Sequence, residues 1–330
     1  MRISFEELKD VFYLVLRSCS FSESKASVCA HIFAENSRDG VYSHGLNRFP
    51  VFVKMVKEGW IHHDAEPELV STNGVIEHWD GKLGPGMYNA HFAMERAIGI
   101  SRKNGMGMVT FKNTNHWMRG GTYGWQAADT GCVGICTTNT IANMPPWGGK
   151  EPRLGNNPLV IAVPHARGHV VLDMAVSQFS YGALQEYSLN KKKLPVPGGY
   201  DENGKLSQDP SLIYRSHRVL PVGFWKGSGL SLVLDVLLTS LTEGNSVKKI
   251  TEQERETGIS QLFIAIHQPD WNERLISEIL SYTKTSALSE EGDAIAYPGE
   301  NTLRTRKENL EKGIPVQEKI WKDVNDFLVE

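Results

Sequence analysis

Residues 41–50 contain a histidine, His44, and an arginine, Arg48, four positions apart in a short link. If the chain is helical from Leu46 onward, the two side chains lie on one face. A guanidinium can hold a carboxylate through two parallel hydrogen bonds, and an imidazole can transfer a proton near neutral pH. The pair therefore predicts a site for a small anionic carbonyl compound. Taken alone, however, a histidine ahead of a helix is more often a cap or a surface residue.

A second polar segment, residues 114–124, follows a predicted strand and precedes a predicted helix. Polar side chains and backbone N–H groups can gather at such a junction. Asn115 and His116 could donate hydrogen bonds to a substrate there, and Arg119 could hold an anion. The alternative for His116 is that its ring only satisfies backbone groups in a tight turn.

Two further polar turns have a similar composition. Residues 155–158, Gly-Asn-Asn-Pro, lead into a predicted strand, and residues 221–229, which include Lys226, open a predicted helix. Backbone N–H groups and a cation at a helix start favour a phosphate. Glycine-rich turns before helices are common, so this pattern alone is a weak indication.

Several common site motifs are missing from the sequence. The nearest match to the GxGxxG dinucleotide fingerprint is residues 81–86, where a proline and the wrong spacing exclude a standard Rossmann site. There is no Walker A motif, no HExxH, and no set of histidines with metal-ligand spacing, so we expect no metal. The four cysteines include no CxxC pair. Cys132 and Cys136 suit core positions on one face of a strand.

The composition is that of an ordinary globular protein. The chain has 330 residues, is 40% hydrophobic and carries a formal charge of −3, which gives no reason to expect nucleic acid or an anionic membrane as partner. The N-terminus lacks a secretory signal. The longest apolar run, residues 230–241, contains Asp235 and is too short to span a bilayer. We therefore expect a cytoplasmic protein with reduced thiols.

The first 60 residues are predicted to be helical. Ser4 and Glu7 form a capping box for a first helix, a second helix runs from about Ser22 to Asp39, and a third carries the apolar residues of segment 49–56 and ends at Gly59. The C-terminal residues expected to pack back on the protein are Leu303, Leu310, Ile314 and Ile320.

A β-rich region is predicted from about residue 70 to 280. Its strands are expected at residues 75–79, 106–111, 133–138, 159–163, 170–174 and 262–266. Helices are expected at residues 88–103, 123–130, 226–243 and around 276–282, and residues 190–210 form a polar excursion that is either a lid or a solvated insertion. The fold class is α/β in the broad sense, or α+β, and not a plain doubly wound sheet.

Six stretches in order carry a resemblance to a known family. They are residues 42–49 (YSHGLNRF), 113–128 (NTNHWMRGGTYGWQAA), 155–158 (GNNP), 172–182 (LDMAVSQFSYG), 224–235 (FWKGSGLSLVLD) and 297–300 (YPGE). Together they resemble the malate/L-lactate dehydrogenase family of the non-Rossmann type, nearly from end to end. The resemblance implies a helical domain of residues 1–70 and about 285–330 beside a β-rich NAD-binding catalytic domain of residues 71–284. It also implies a homodimer.

The resemblance also assigns roles to individual residues. It makes His44 the proton donor and places Arg48 and His116 against the substrate. The polar segment at residues 114–124 adds Asn115 as an expected substrate contact. The residues that the resemblance assigns to the dinucleotide are His169, Val170, Val171, Leu172, Asp173, Met174, Ala175, Trp225, Lys226, Gly299, Glu300 and Asn301. Val176 stands where many relatives carry a second hydroxyl, and residues 165–169 and 300–301 also depart from the pattern. The preference for NAD or NADP is therefore left open.

The expected activity is the NADH-dependent reduction of a small 2-oxo sugar acid. Within the same family, malate, lactate, ureidoglycolate or sulfolactate are the alternative substrates, with NAD or NADP. A sugar-acid and dinucleotide-binding protein without catalysis is the alternative from another class. A metal hydrolase built on His44 and His116 is poorly supported because no carboxylate lies at ligand spacing.

Overall fold

The structure is a computed structural model, and it describes residues 1–253, 255–289 and 294–329. The helices are α1 (Phe5–Ser18), α2 (Glu23–Arg38), α3 (Phe49–Lys57), α4 (Gly86–Asn104), α5 (Gly121–Asp129), α6 (Tyr181–Leu189), α7 (Pro210–Ser216), α8 (Trp225–Thr242), α9 (Val247–Thr251), α10 (Glu273–Lys284), α11 (Glu300–Lys312) and α12 (Glu318–Asp326). The strands are β1 (Arg2–Ile3), β2 (Glu68–Asn73), β3 (Ile76–Asp80), β4 (Met106–Thr114), β5 (Cys132–Thr138), β6 (Leu159–Val163), β7 (Val170–Met174), β8 (Gly199–Tyr200), β9 (Leu206–Ser207), β10 (Ile259–His267) and β11 (Ile314–Pro315).

Seven of these strands form one mixed sheet in the order β2-β3-β4-β10-β5-β6-β7. Among the described strands of this sheet, β3 and β4 are the one parallel pair, and the other neighbours are antiparallel. A doubly wound nucleotide-binding fold needs a mostly parallel sheet. The topology therefore confirms the predicted mixed class of helices and strands and excludes a Rossmann sheet.

Helices cover both faces of the sheet. On one face, Phe92 of α4 contacts Phe111 of β4, with ring centroids 6.3 Å apart, and Tyr123 of α5 contacts Phe263 of β10 at 5.9 Å. On the other face, the Thr242 hydroxyl at the end of α8 lies 3.2 Å from the Ser260 hydroxyl of β10. Successive residues of a strand point to opposite faces, so the central strands are buried between two helical layers.

The N-terminal helices begin where the sequence predicts. The hydroxyl of Ser4 accepts from the Glu7 N–H (3.1 Å) and that of Ser22 from the Lys25 N–H (3.3 Å). These caps satisfy N–H groups that have no partner inside the helix. The third helix differs, because residues Tyr42–His44 and Leu46–Arg48 form two 3₁₀ turns and the α-helix starts only at Phe49.

The C-terminal region packs on these helices. α12 contacts α1 and α3, α11 contacts α2, and β1 pairs with β11. Ile314 is buried, and Leu303 and Ile320 pack partly buried against the core, as predicted. The prediction for Leu310 is wrong, because α11 leaves its side chain 56% exposed. The division into domains at residues 70 and 285 stays a prediction.

The six predicted strands are all present as β3, β4, β5, β6, β7 and β10. In the seven-stranded sheet, the strand that sequence reasoning missed is β2, an exposed edge strand that no apolar alternation marks. The two-residue strands β1, β8, β9 and β11 were not predicted either. The excursion at residues 190–210 contains the short hairpin of β8 and β9. It is not wholly solvated, because Leu194 is buried in a second, smaller core with Leu184 and Ile213. Within the described ranges, no helix has the length and apolarity needed to cross a membrane.

Candidate active site

The link that carries His44 is pinned to helix α2. The Ser37 hydroxyl accepts from the Leu46 N–H (2.8 Å), and the Asn36 amide donates to the His44 carbonyl oxygen (2.9 Å). A Cβ atom on Gly45 would lie 2.2 Å from the Ser37 hydroxyl oxygen and 3.0 Å from the Phe33 carbonyl oxygen. Only glycine allows the link to lie this close to the helix. The position of His44 is therefore set by backbone contacts to a buried helix.

His44 is half-buried and lies in a positively charged environment. Its Nδ1 is 3.0 Å from the Ser43 hydroxyl. Burial, followed by the charges of Arg48 and Arg119, lowers the pKa of His44 to about 4. The imidazole of the free protein is thus neutral at physiological pH, with the hydroxyl of Ser43 orienting one of its ring nitrogens.

His116 faces His44, and a backbone hydrogen bond to its Nδ1 determines its tautomer. The two rings stack with centroids 5.7 Å apart and planes 22° from parallel. Nδ1 of His116 accepts from the Met118 N–H (3.0 Å), so the neutral ring carries its proton on Nε2. Burial, and then the charges of Arg48 and His44, hold the pKa of His116 well below its usual value. His116 is therefore a neutral hydrogen-bond donor whose Nδ1 satisfies the tight turn, and its contact with a substrate stays a prediction.

Asn115 lines the site but has its two amide hydrogens in use. Nδ2 donates to the carbonyl oxygens of Leu83 (2.7 Å) and Gly84 (3.0 Å). Two carbonyl acceptors fix the orientation of the amide. The expectation that Asn115 donates to a substrate is not supported by this arrangement. Its side chain instead holds the turn at residues 83–84 against the site.

Arg119 belongs to a buried ion-pair network and is not free to bind an anion by itself. Asp39 accepts from Arg119 (2.8 Å), from Arg306 (2.8 and 2.7 Å) and from Arg38 (2.9 Å). Burial alone would raise the pKa of Asp39, but these three guanidinium groups lower it to about 2. The network joins α2, α11 and the loop after β4. Its one member beside His44 is Arg119.

Two cavities meet at His116. The first has a volume of about 260 Å³ and is lined by His44, His116, Asp173 and Ala175, among others. The second has a volume of about 430 Å³ and includes Arg48 and His116 in its lining. The Arg48 side chain makes no hydrogen bond or ion pair with any residue that the structure describes. A small acid can therefore place one end beside His44 and the other beside Arg48.

The three segments assigned to the dinucleotide meet along strand β7. Val171 N–H donates to the Pro298 carbonyl oxygen (2.9 Å), and a Cβ atom on Gly299 (φ +99°) would lie 2.9 Å from the His169 carbonyl oxygen. At the other end of β7, the Val222 N–H donates to the Val176 carbonyl oxygen (3.0 Å), just ahead of Trp225 and Lys226. The structure therefore brings together segments that are up to about 130 residues apart in sequence.

The side chains of these segments differ in availability. His169 is held by Asp129 (2.9 Å), and Glu300 pairs with Lys284. Asp173 accepts from the Gly121 N–H (2.9 Å), and burial raises its pKa. The exposed side chains are Trp225, Lys226 and Asn301. Because the Val171 N–H points away from β6, the backbone of Asp173 is also on the unpaired side of β7, whereas Val170, Leu172 and Met174 face β6. Contacts with a dinucleotide would therefore come from the unpaired edge of β7 and from the exposed side chains at the start of α8.

Several residues of the site were not singled out by sequence reasoning, among them Asp39, Asn36 and Glu256. Asp39 looked like the end of a helix next to Gly40, Asn36 lay on the interior of that helix, and Glu256 lay in a polar stretch without a motif. A cluster of arginines is no local signal, since Arg38, Arg119 and Arg306 are far apart in the chain. Only long-range contacts reveal these residues. Within the described ranges, no group of three potential metal-ligating side chains is present.

The chain belongs to the malate/L-lactate dehydrogenase family, whose sequence profile matches residues 3–325. It is 44% identical over 327 residues to a 2,3-diketo-L-gulonate reductase of Salmonella paratyphi B, covering 97% of this chain and 98% of the relative. Among solved structures it is similar to a sulfolactate dehydrogenase from Methanocaldococcus jannaschii, with a TM-score of 0.89 and 30% identity over 99% of this chain and 96% of that one. It also shares the fold of a malate dehydrogenase from Entamoeba histolytica, with a TM-score of 0.93 and 24% identity over 99% and 97% of the two chains.

Proposed function

We propose that this protein is an NADH-dependent reductase of a small 2-oxo sugar acid, with 2,3-diketo-L-gulonate, reduced to 3-keto-L-gulonate, as its substrate. The observation that carries the proposal is the joined cavity in which His44 and His116 face each other, with Arg48 at one end and strand β7 at the other. The similarity to 2,3-diketo-L-gulonate reductases, at 44% identity over nearly the full length, supports this choice of substrate within the family.

The residues of β7 and its neighbours fit a nicotinamide dinucleotide. β7 is an edge strand that pairs with β6 alone among the described strands. Since the Val171 N–H faces the turn at Pro298, the backbone of Asp173 faces the same unpaired side. These main-chain groups, with Trp225, Lys226 and Asn301, would hold the dinucleotide. When bound, NADH supplies the hydride for reduction of the carbonyl carbon.

Three side chains bind the substrate and transfer the proton. Arg48 holds the substrate carboxylate, because no anionic side chain of the described residues lies within hydrogen-bond distance of its guanidinium. His116 donates from Nε2 to an oxygen of the substrate and fixes the face that is presented. His44 gives a proton to the carbonyl oxygen as negative charge develops there. In the reverse direction, neutral His44 accepts the proton from the hydroxyl group.

The negative charge of the substrate changes the pKa of His44. Arg48 is one of the groups that lower the pKa of His44 to about 4. A carboxylate bound to Arg48 cancels part of that positive field, so the pKa of His44 rises when the acid binds. His44 therefore takes up its proton together with the substrate. The free protein holds the neutral form, which suits the oxidation of a hydroxy acid.

A panel of oxo acids tests the assignment. We expect 2,3-diketo-L-gulonate with NADH to give the highest kcat/KM, measured by loss of NADH absorbance, against oxaloacetate, pyruvate and sulfopyruvate. The same pair should give the largest joint increase in melting temperature, because ligands that bind the native state stabilise it. NADPH in place of NADH tests the choice of cofactor. Faster turnover of oxaloacetate or sulfopyruvate would assign the malate or sulfolactate alternative. Tight NADH binding without turnover of any acid would favour a binding protein.

We further propose that the protein is a homodimer. Leu232, Val233, Val236 and Leu237 are exposed, and their spacing puts them on one side of α8. A contiguous exposed apolar surface of this kind is typical of a subunit contact. We expect sedimentation equilibrium to give about twice the chain mass of 36.8 kDa. The variant Val236→Asp should shift the protein to the monomer, whereas Leu310→Asp, which changes an equally exposed residue of α11, should not. A monomeric wild type would contradict the proposal.

A further inference from the structure

The second cavity contains a carboxylate that the proposed reaction does not use. Glu256 lines the cavity together with Arg48, Asn115 and His116. Its Oε2 accepts from the Ile141 N–H (3.0 Å), which is its one hydrogen bond among the described residues. No Lys, Arg or His of the described residues lies within ion-pair distance of it. One oxygen of Glu256 is therefore held by the backbone, and the other is left for a donor in the cavity.

The other charged groups of this cavity are paired at its rim. Glu58 lies 3.7 Å from Lys54 and 3.7 Å from Arg255, whose side chain is half exposed. Burial raises the pKa of Glu256, while the Ile141 N–H and the charge of Arg48 oppose that rise. Of the described residues, the charged groups inside the cavity and away from its rim are thus one cation, Arg48, and one carboxylic group, Glu256.

These two groups select different parts of a substrate. Arg48 attracts the carboxylate of an oxo acid. A carboxylate at Glu256 is an acceptor, so hydroxyl groups at the far end of the substrate can donate to it. A second carboxylate at that end would meet a like charge in a cavity with apolar walls, which include Phe52, Met55 and Ile141. An acid with a methyl tail would leave the acceptor of Glu256 without a partner.

We propose that Glu256 determines specificity for a polyhydroxylated tail and against a dicarboxylate. The inference rests on the proposed reduction of a sugar acid and adds the residue that recognises the sugar portion. It is a binding role, so Glu256 acts on affinity and leaves the chemical step to His44. The alternative is that Glu256 only shapes the cavity by holding Ile141, and the two roles predict different patterns of affinity.

The test compares Glu256→Gln with the control Glu278→Gln, which changes an exposed glutamate of α10 outside the cavity, in the NADH-bound protein. Glutamine keeps the Ile141 contact through its carbonyl oxygen and turns an NH₂ donor toward the cavity. By isothermal titration, we expect Glu256→Gln to weaken L-gulonate about tenfold, because hydrogen bonds to a charged acceptor are replaced by weaker neutral ones. The affinity for lactate should stay unchanged, and that for malate should increase. Glu278→Gln should alter none of the three affinities.

Turnover gives a second readout. With 2,3-diketo-L-gulonate, Glu256→Gln should raise KM and keep kcat, which is the pattern expected when uniform binding is lost. Equal weakening of gulonate, lactate and malate, or an unchanged gulonate affinity, would overturn the proposal, as would a wild type that does not bind gulonate. Because titration needs no turnover, a wild type that binds gulonate but reduces no oxo acid would reject the proposed reduction and retain the role of Glu256.

Discussion

Replacing His44 with alanine is expected to lower kcat for oxo-acid reduction by about 10²- to 10⁴-fold, the range that general acid catalysis contributes. The reason is that His44 and His116 are the two histidines among the described residues that line the cavity at the end of β7. His116 cannot replace it, because its Nδ1 is occupied by the Met118 N–H (3.0 Å). Steady-state assays by NADH absorbance measure the effect, and NADH fluorescence titration should show unchanged cofactor affinity.

The control for this variant is His31→Ala, which removes an exposed histidine of α2 and should leave kcat unchanged. A His44→Ala protein that keeps near wild-type turnover with NADH bound normally would refute the assignment.

The pH profile of kcat/KM gives an independent test of the role of His44. Since the pKa of His44 in the free protein is lowered to about 4, the imidazolium becomes rarer as pH rises above that value. Reduction by the wild type should therefore lose about tenfold in kcat/KM per pH unit toward neutrality, and the variant should lose this dependence.

Replacing Asp39 with asparagine is expected to destabilise the protein by about 3–5 kcal/mol, as is usual when one partner of a buried ion pair is removed. The Asp39 side chain is 1% exposed and that of Arg119 is 5% exposed, so water cannot replace the lost charge. Urea unfolding would measure the change in free energy. Activity should fall as well, because Arg119 lines the cavity of His44. The control is Glu6→Gln, which removes an exposed pair with Lys9 and should cost less than about 1 kcal/mol.

The sign of the pH dependence distinguishes this network from a packing effect. The folded-state pKa of Asp39 is about 2, below the ordinary value of 3.8. The stabilisation is therefore present in full above about pH 4 and is lost as the pH falls toward 2. The asparagine variant should lack this acid-dependent loss. An Asp39→Asn protein as stable as the wild type would contradict this prediction. It would show that the Asp39 charge is not needed to offset the repulsion between the three arginines.

Individual residues show which structural features local sequence patterns predict and which they do not. The caps at Ser4 and Ser22 and the strands that became β4 and β5 were predictable, because hydrogen bonds and apolar periodicity within a few residues determine them. β2 was missed because an exposed edge strand needs no apolar face. Leu310 was misplaced because the side of a short helix that faces the core depends on its partners.

For the site as well, some residues were predictable from the local sequence and others only from tertiary contacts. His44, Arg48 and His116 were proposed as site residues from residue types, spacing and family resemblance, and the structure places all three at the cavities. The sequence by itself also excluded a Rossmann fingerprint. Only the tertiary structure decided that Asn115 uses both of its donors in the protein and that Arg119 pairs with Asp39. It alone placed Glu256 in the cavity of Arg48. These facts depend on contacts between residues far apart in the chain, where the geometry of the packed core, and not the local pattern, determines which groups meet.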